Sequence, residues 1–171
     1  MKINKFFLIV IFFFSIFSKV SLLAEEDKQF DGKGGRDDLS FMSAKNNNFK
    51  KGKDNLKQAL KYERKNKIKK ANKKYEKALA YLVSAYQESP SSIEVINLLG
   101  FTYYKLGDFI MTEIYYHEAL KIDPKDPIVN QRLGELYFIT QRAKLAEERL
   151  SILSHCNCQE YLNLKKMISS N

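Results

Sequence analysis

The chain resembles itself at a fixed distance, and that limits what it can fold into more than any other feature. The stretch Ile93–Pro124 reads I-E-V-I-N-L-L-G-F-T-Y-Y-K-L-G-D-F-I-M-T-E-I-Y-Y-H-E-A-L-K-I-D-P. Moved forward by 34 residues, Leu99-Gly100 lands on Leu133-Gly134, Tyr103 on Tyr137 and Thr112 on Ala146. Moved back by 34, Pro124 lands on Pro90, Ala119 on Ala85, Tyr116 on Leu82, Thr112 on Ala78 and Phe109 on Tyr75. A constant period of this length marks stacked helix–turn–helix units, each burying its apolar face only against its neighbours.

Within a unit, the residue types say where helices start, stop and touch. Ser91 or Ser92 can cap a first helix, with Glu94 in its first turn where an acid suits the helix dipole. Gly107-Asp108 supplies a stop and the next cap, and Asp123-Pro124 ends the second helix. Asp126-Pro127 begins the following unit, with proline at a helical position where its missing donor costs nothing. Gln141 stands where that unit's turn glycine is expected. Gly100 and Gly134 sit mid-helix, where glycine costs about 1 kcal/mol against alanine. They are expected to admit a crossing helix at Thr112 and Ala146, with Ala85 and Ala119 doing the same between successive units.

These residues resemble the tetratricopeptide repeat family, which carries an L-G…Y first helix, a G-D-[FY] turn and an A-L-x-I-D-P ending. The best copy is 92–125, with Thr112 where the family usually has alanine. The fold expected is all-α: a short tetratricopeptide-type helical-hairpin solenoid with a C-terminal capping helix. Residues 49–168 form it, as a degraded repeat at 49–90, repeats at 91–124 and 125–158, and the cap at 159–168. In the degraded repeat Tyr75, Ala78, Leu79, Leu82, Ala85 and Tyr86 make one helical stripe. Its first half fits badly, because Lys65-Asn66 falls on the Leu-Gly pair and Lys69 on the tyrosine. A hairpin with a loop near 65–70 is favoured over one long helix.

The N-terminus has a different character. Lys2 and Lys5 precede an apolar run from Phe6 to Phe17, and Ser18–Ala24 is more polar. That is the layout of a cleaved secretory signal peptide over 1–24, the run being short for a membrane span. An uncleaved anchor is the competing reading. Residues 25–48 lack periodicity and read as a flexible linker. The expected location is the periplasm or cell envelope.

The resemblance implies a non-catalytic interaction scaffold that binds a protein or peptide along the groove lined by the first helices. In register, the groove positions are Asn97, Phe101, Tyr104 and Lys105 from one repeat and Gln131, Glu135, Phe138 and Ile139 from the next. Aromatic and amide groups there suit an extended peptide or a guest helix, although Phe101 and Phe138 can equally pack between repeats. Only Asn97 matches the family's carboxylate-clamp set.

Two features lie outside that reading. Residues 45–77 hold fourteen Lys or Arg against Asp54, Glu63 and Glu76. A solvated helix face is the simplest account, and a tether to an anionic surface is the alternative. The run has few aromatics, so stacking on nucleic-acid bases is not expected. Cys156 and Cys158, with His155 beside them, read as a disulfide or spare thiols, with a metal- or redox-handling accessory as the alternative. No cofactor is implied. His117 and His155 are 38 residues apart, no phosphate loop or metal-spaced carboxylate set occurs, and no catalytic constellation forms. His117 is expected to be a satisfied packing histidine.

Overall fold

The computed structural model describes residues 37–170, with side chains from 47 onward. The signal peptide expected at 1–24 and the part of the expected 25–48 linker that precedes residue 37 lie outside the described residues. Among the described residues seven helices follow one another: α1 (Asp37–Arg64), α2 (Ile68–Glu88), α3 (Ile93–Leu106), α4 (Phe109–Ile122), α5 (Pro127–Ile139), α6 (Ala143–Leu153) and α7 (Gln159–Ser169). They pair as hairpins α1–α2, α3–α4 and α5–α6, with α2 against α3, α4 against α5, and α7 packed on α5 and α6. Among the described residues no helix is long and apolar enough to cross a membrane.

The helix ends follow the local chemistry. Ser92, rather than Ser91, accepts from the Val95 N–H at 3.5 Å, a long cap bond. Asp108 accepts from the Met111 N–H at 3.0 Å and Asp126 from the Val129 N–H at 2.8 Å. Gly107 closes α3 in the left-handed region at φ +83°. The same conformation recurs 34 residues later at Gln141, φ 61°, and at the first hairpin in Asn66, φ 54°. The turn geometry therefore persists where the glycine does not.

The degraded first repeat departs from the sequence expectation in two ways. The chain does turn at 65–67, but α1 reaches back to Asp37, so residues 37–48 are helical rather than linker. No proline or glycine stands between 37 and 51 to stop it. Second, the Leu-Gly role is not played at 65–66. Gly52 takes it, buried, and a Cβ there would come within 2.8 Å of Leu82 Cδ2. The elongated α1 moves its close-approach glycine one helix-length away from the 34-residue register.

The crossings at the other two glycines are also differently partnered. A Cβ on Gly100 would lie 2.5 Å from Tyr116 Cε1, so the tyrosine ring, not Thr112, fills that space. A Cβ on Gly134 would lie 2.5 Å from Leu164 Cδ2 of α7, with the Arg149 side chain next, rather than against Ala146. Thr112 and Ala146 are nevertheless fully buried, as are Ala119 and, nearly, Ala85. Around these contacts lie two apolar clusters. One joins Leu56, Ala59, Tyr75, Leu82 and Leu99 across α1–α3, and the other joins Ile96, Tyr116, Leu133 and Leu136 across α3–α5.

Candidate functional site

The face formed by the first helices α1, α3 and α5 is laced by polar pairs between neighbours. Lys105 Nζ of α3 donates to Glu63 Oε1 of α1 at 2.8 Å, and the buried Tyr75 hydroxyl of α2 donates to the other Glu63 oxygen. Burial disfavours the Glu63 charge, but the hydrogen bonds from Lys105 and Tyr75, with the Lys105 charge, outweigh it and lower the Glu63 pKa. From the middle of α1, Lys53 meets Glu94 in the first turn of α3 at 2.8 Å in an exposed pair, which contributes little by itself. From α5, Arg132 donates to Asn97 Oδ1 of α3 at 2.6 Å and lays its guanidinium 4.7 Å from the centre of the Phe101 ring. Lys105 approaches the same ring at 5.7 Å. Phe101 thus lies within cation–π reach of two cations.

Two clefts open on this face. The smaller, about 50 Å³, is lined by Phe101, Tyr104, Tyr116, Arg132 and Glu135 between α3 and α5. The larger, about 320 Å³, lies between α1 and α3 and is lined by Leu60, Glu63, Arg64 and Lys105. Burial pushes the pKa of the Tyr116 phenol upward, so it stays neutral at the floor of the smaller cleft.

The sequence-derived groove residues are therefore only partly brought together. Phe101, Tyr104 and Glu135 share the smaller cleft, and Asn97 joins them through Arg132. Lys105 lines the larger cleft, and Gln131 donates to Glu135 at 2.6 Å. Phe138 is half-buried against the second apolar cluster and lines neither cleft; Ile139 is exposed. Sequence register missed Arg132, since its counterpart one repeat earlier is the apolar Leu98. It missed Leu60, Glu63 and Arg64, because α1 is out of the 34-residue register.

Elsewhere, Glu113, His117, Tyr137 and Arg142 tie α4 and α5 to the start of α6. Arg142 Nη1 lies 3.0 and 2.8 Å from the two Glu113 oxygens, and its guanidinium stacks 4.5 Å from the Tyr137 ring centre. The His117 Nε2 is 2.8 Å from the Tyr137 hydroxyl. That histidine is half-exposed, so it is a surface hydrogen-bonding group rather than a packed one. Burial, then Glu113, pushes the Tyr137 pKa up to about 12. On α1 and α2 nearly all the basic side chains from Lys50 to Lys77 are exposed, Lys74 being half-buried. Cys156 and Cys158 are bonded to each other. Among the described residues no three His, Cys, Asp or Glu side chains come together as a metal site would require.

Comparison with known proteins agrees with this architecture. Residues 93–126 match the tetratricopeptide repeat family model. No curated protein matches the chain by sequence. The fold is similar to the Yersinia enterocolitica type III secretion translocator chaperone SycD, with TM-score 0.56 at 14% identity, covering 82% of this chain and all of that one. It is also similar to SycD in complex with a peptide of the translocator YopD, with TM-score 0.52 at 18% identity, covering 69% of this chain and 86% of that one. A third similar structure is the first tetratricopeptide domain of Spaghetti bound to an HSP90 peptide, with TM-score 0.52 at 18% identity, covering 71% and 94%. Residues 93–126 are thus a tetratricopeptide repeat, and the described chain is an all-α solenoid of the tetratricopeptide type.

Proposed function

We propose that this protein is a non-catalytic scaffold of the periplasm or cell envelope that binds a polypeptide segment across α1, α3 and α5. The observation that carries the reading is the cleft between α3 and α5. There Phe101 and Tyr104 offer apolar surface above the buried Tyr116 and beside Arg132 and Glu135, within a tetratricopeptide-type solenoid. Two of the similar structures hold peptides, which supports a peptide-sized partner here. The larger cleft continues the surface towards α1, so an extended segment would pass from Arg132 to Arg64 and meet Phe101 midway. Aromatic and arginine side chains are the types that dominate such interfaces. Export rests on the layout of residues 1–24: a basic start, an apolar run from Phe6 to Phe17 and a more polar stretch to Ala24.

Selection of a random peptide library on the immobilised chain tests the binding claim. Peptides enriched on the wild type are expected to lose at least tenfold in affinity for a Phe101→Ala, Arg132→Ala double variant, about 1.4 kcal/mol or more. Its helical circular dichroism should be retained. Enriched peptides that bind a folded double variant unchanged would place the partner elsewhere. Fractionation after expression in a Gram-negative host, with intact-mass measurement, tests export: a chain beginning at Glu25 is expected, and one retaining residues 1–24 on membranes would indicate an anchor.

A further inference from the structure

Cys156 and Cys158 bridge each other in the turn between α6 and α7, with Cα atoms 5.2 Å apart and one residue between them. The entropic benefit of a cross-link grows with the loop it closes, so this bridge is among the weakest staples a chain can make. Nor does it fasten α7 to the solenoid. That is done by Leu164, fully buried over Gly134. The bridge is accessible, both cysteines being partly exposed. It borders an open cleft of about 310 Å³ lined by Ser154, His155, Asn157, Tyr161 and Leu162. Leu162 is 55% exposed there and gives an apolar landing beside the sulfurs. Finally, Cys158 is the N-cap of α7, and no side chain caps that end. The first-turn N–H groups and the helix dipole are therefore free to stabilise a thiolate left on Cys158.

We propose that Cys156–Cys158 is a thiol–disulfide exchange site whose substrates are polypeptides bearing a cysteine pair. One thiolate of a substrate dithiol attacks Cys156 Sγ, the Cys156–Cys158 bond breaks, and the electron pair leaves on Cys158 as the stabilised thiolate. The substrate's second thiol, deprotonated, then attacks its own sulfur in the mixed disulfide and releases Cys156 as a thiolate. Two electrons pass from substrate to pair: the substrate is oxidised to its disulfide, Cys156 and Cys158 are reduced, and the two protons go to solvent or to the new thiolates. With an oxidised substrate the same steps run backwards. The proposal does not depend on the groove across α1, α3 and α5.

The test uses the full chain and a synthetic peptide with two cysteines as probe, mixed without oxygen, quenched with a thiol-alkylating reagent and weighed by mass spectrometry. The expected result is oxidised peptide in equal amount with protein that has gained two alkyl groups at Cys156 and Cys158. Exchange should be at least tenfold faster than between the same peptide and oxidised glutathione at equal concentration. The Cys158→Ser chain, given oxidised peptide, should accumulate a covalent adduct at Cys156. The Cys156→Ser chain should accumulate at least tenfold less. A bridge that stays closed against excess reduced peptide overturns the proposal, as does exchange no faster than that of glutathione. Purification of the exported chain with both thiols free and refractory to oxidised peptide would overturn it equally. The wild-type measurement decides the matter even if either serine variant fails to fold.

Discussion

Gly100 shows how one residue's meaning depends on what it faces. Its missing Cβ is filled by the ring of Tyr116, four residues beyond Thr112. Gly100→Ala should therefore overpack that site at a cost of about 1–3 kcal/mol. In a Tyr116→Ala background the same change should cost much less, because the obstructing ring is gone. Thermal melts of the four chains form the cycle that checks this, and additive losses would refute the contact. Gln141 makes the converse case. It holds a left-handed conformation that costs an ordinary residue about 1–2 kcal/mol. Gln141→Gly should raise the melting temperature by a few degrees, because relief of the left-handed strain outweighs the added entropy of glycine in the unfolded chain. Gly107→Ala, at the equivalent turn, should lower it. Nothing lies within 4 Å of an added Cβ at Gly107, so the loss would be a backbone effect alone.

At the scale of the element, α1 changes the molecule most. Its C-terminal turn carries Glu63, which receives Tyr75 from α2 and Lys105 from α3. Because its folded pKa is lowered, Glu63 stabilises the fold above the ordinary carboxylate range. That contribution is lost as pH falls through the lowered folded value. Glu63→Gln should thus lower the melting temperature at neutral pH and make little difference in strong acid. A gap between the two chains that persists in acid would mean the carboxylate charge is not what matters. The hairpin α1–α2 was legible in part. The stripe from Tyr75 to Tyr86 and the turn near 65–67 could be read from the sequence. The true partner of Leu82 could not, since Gly52 lies outside the period that located Gly100 and Gly134.

Across the whole molecule, stability in a solenoid is a sum of unit and neighbour terms, so the last exposed face needs a cover. Helix α7 supplies it by inserting Leu164 over Gly134. Leu164→Ala should cost about 2–5 kcal/mol. It should deprotect amides of α5 and α6 before those of α1 and α2 in hydrogen exchange. Uniform loss of protection along the chain would indicate that α7 acts globally rather than as an end cap.

The sequence by itself determined the helices from Ile93 onward, the caps at Asp108 and Asp126 and the existence of a cap helix, because these depend on local chemistry repeated at a constant spacing. Proline at 124 and 127, Gly107 and the cap residues Ser92, Asp108 and Asp126 act on their own neighbours and need no partner to be interpreted. Only the tertiary structure decided which side chain fills each glycine's space and which residues share a cleft. Arg132 reaches Phe101 and Asn97 from a different helix, and Glu63 reaches Lys105 across a first repeat whose helix has lengthened. Such contacts depend on the offset between helices, and the period of a repeat does not carry that offset once one unit has departed from it.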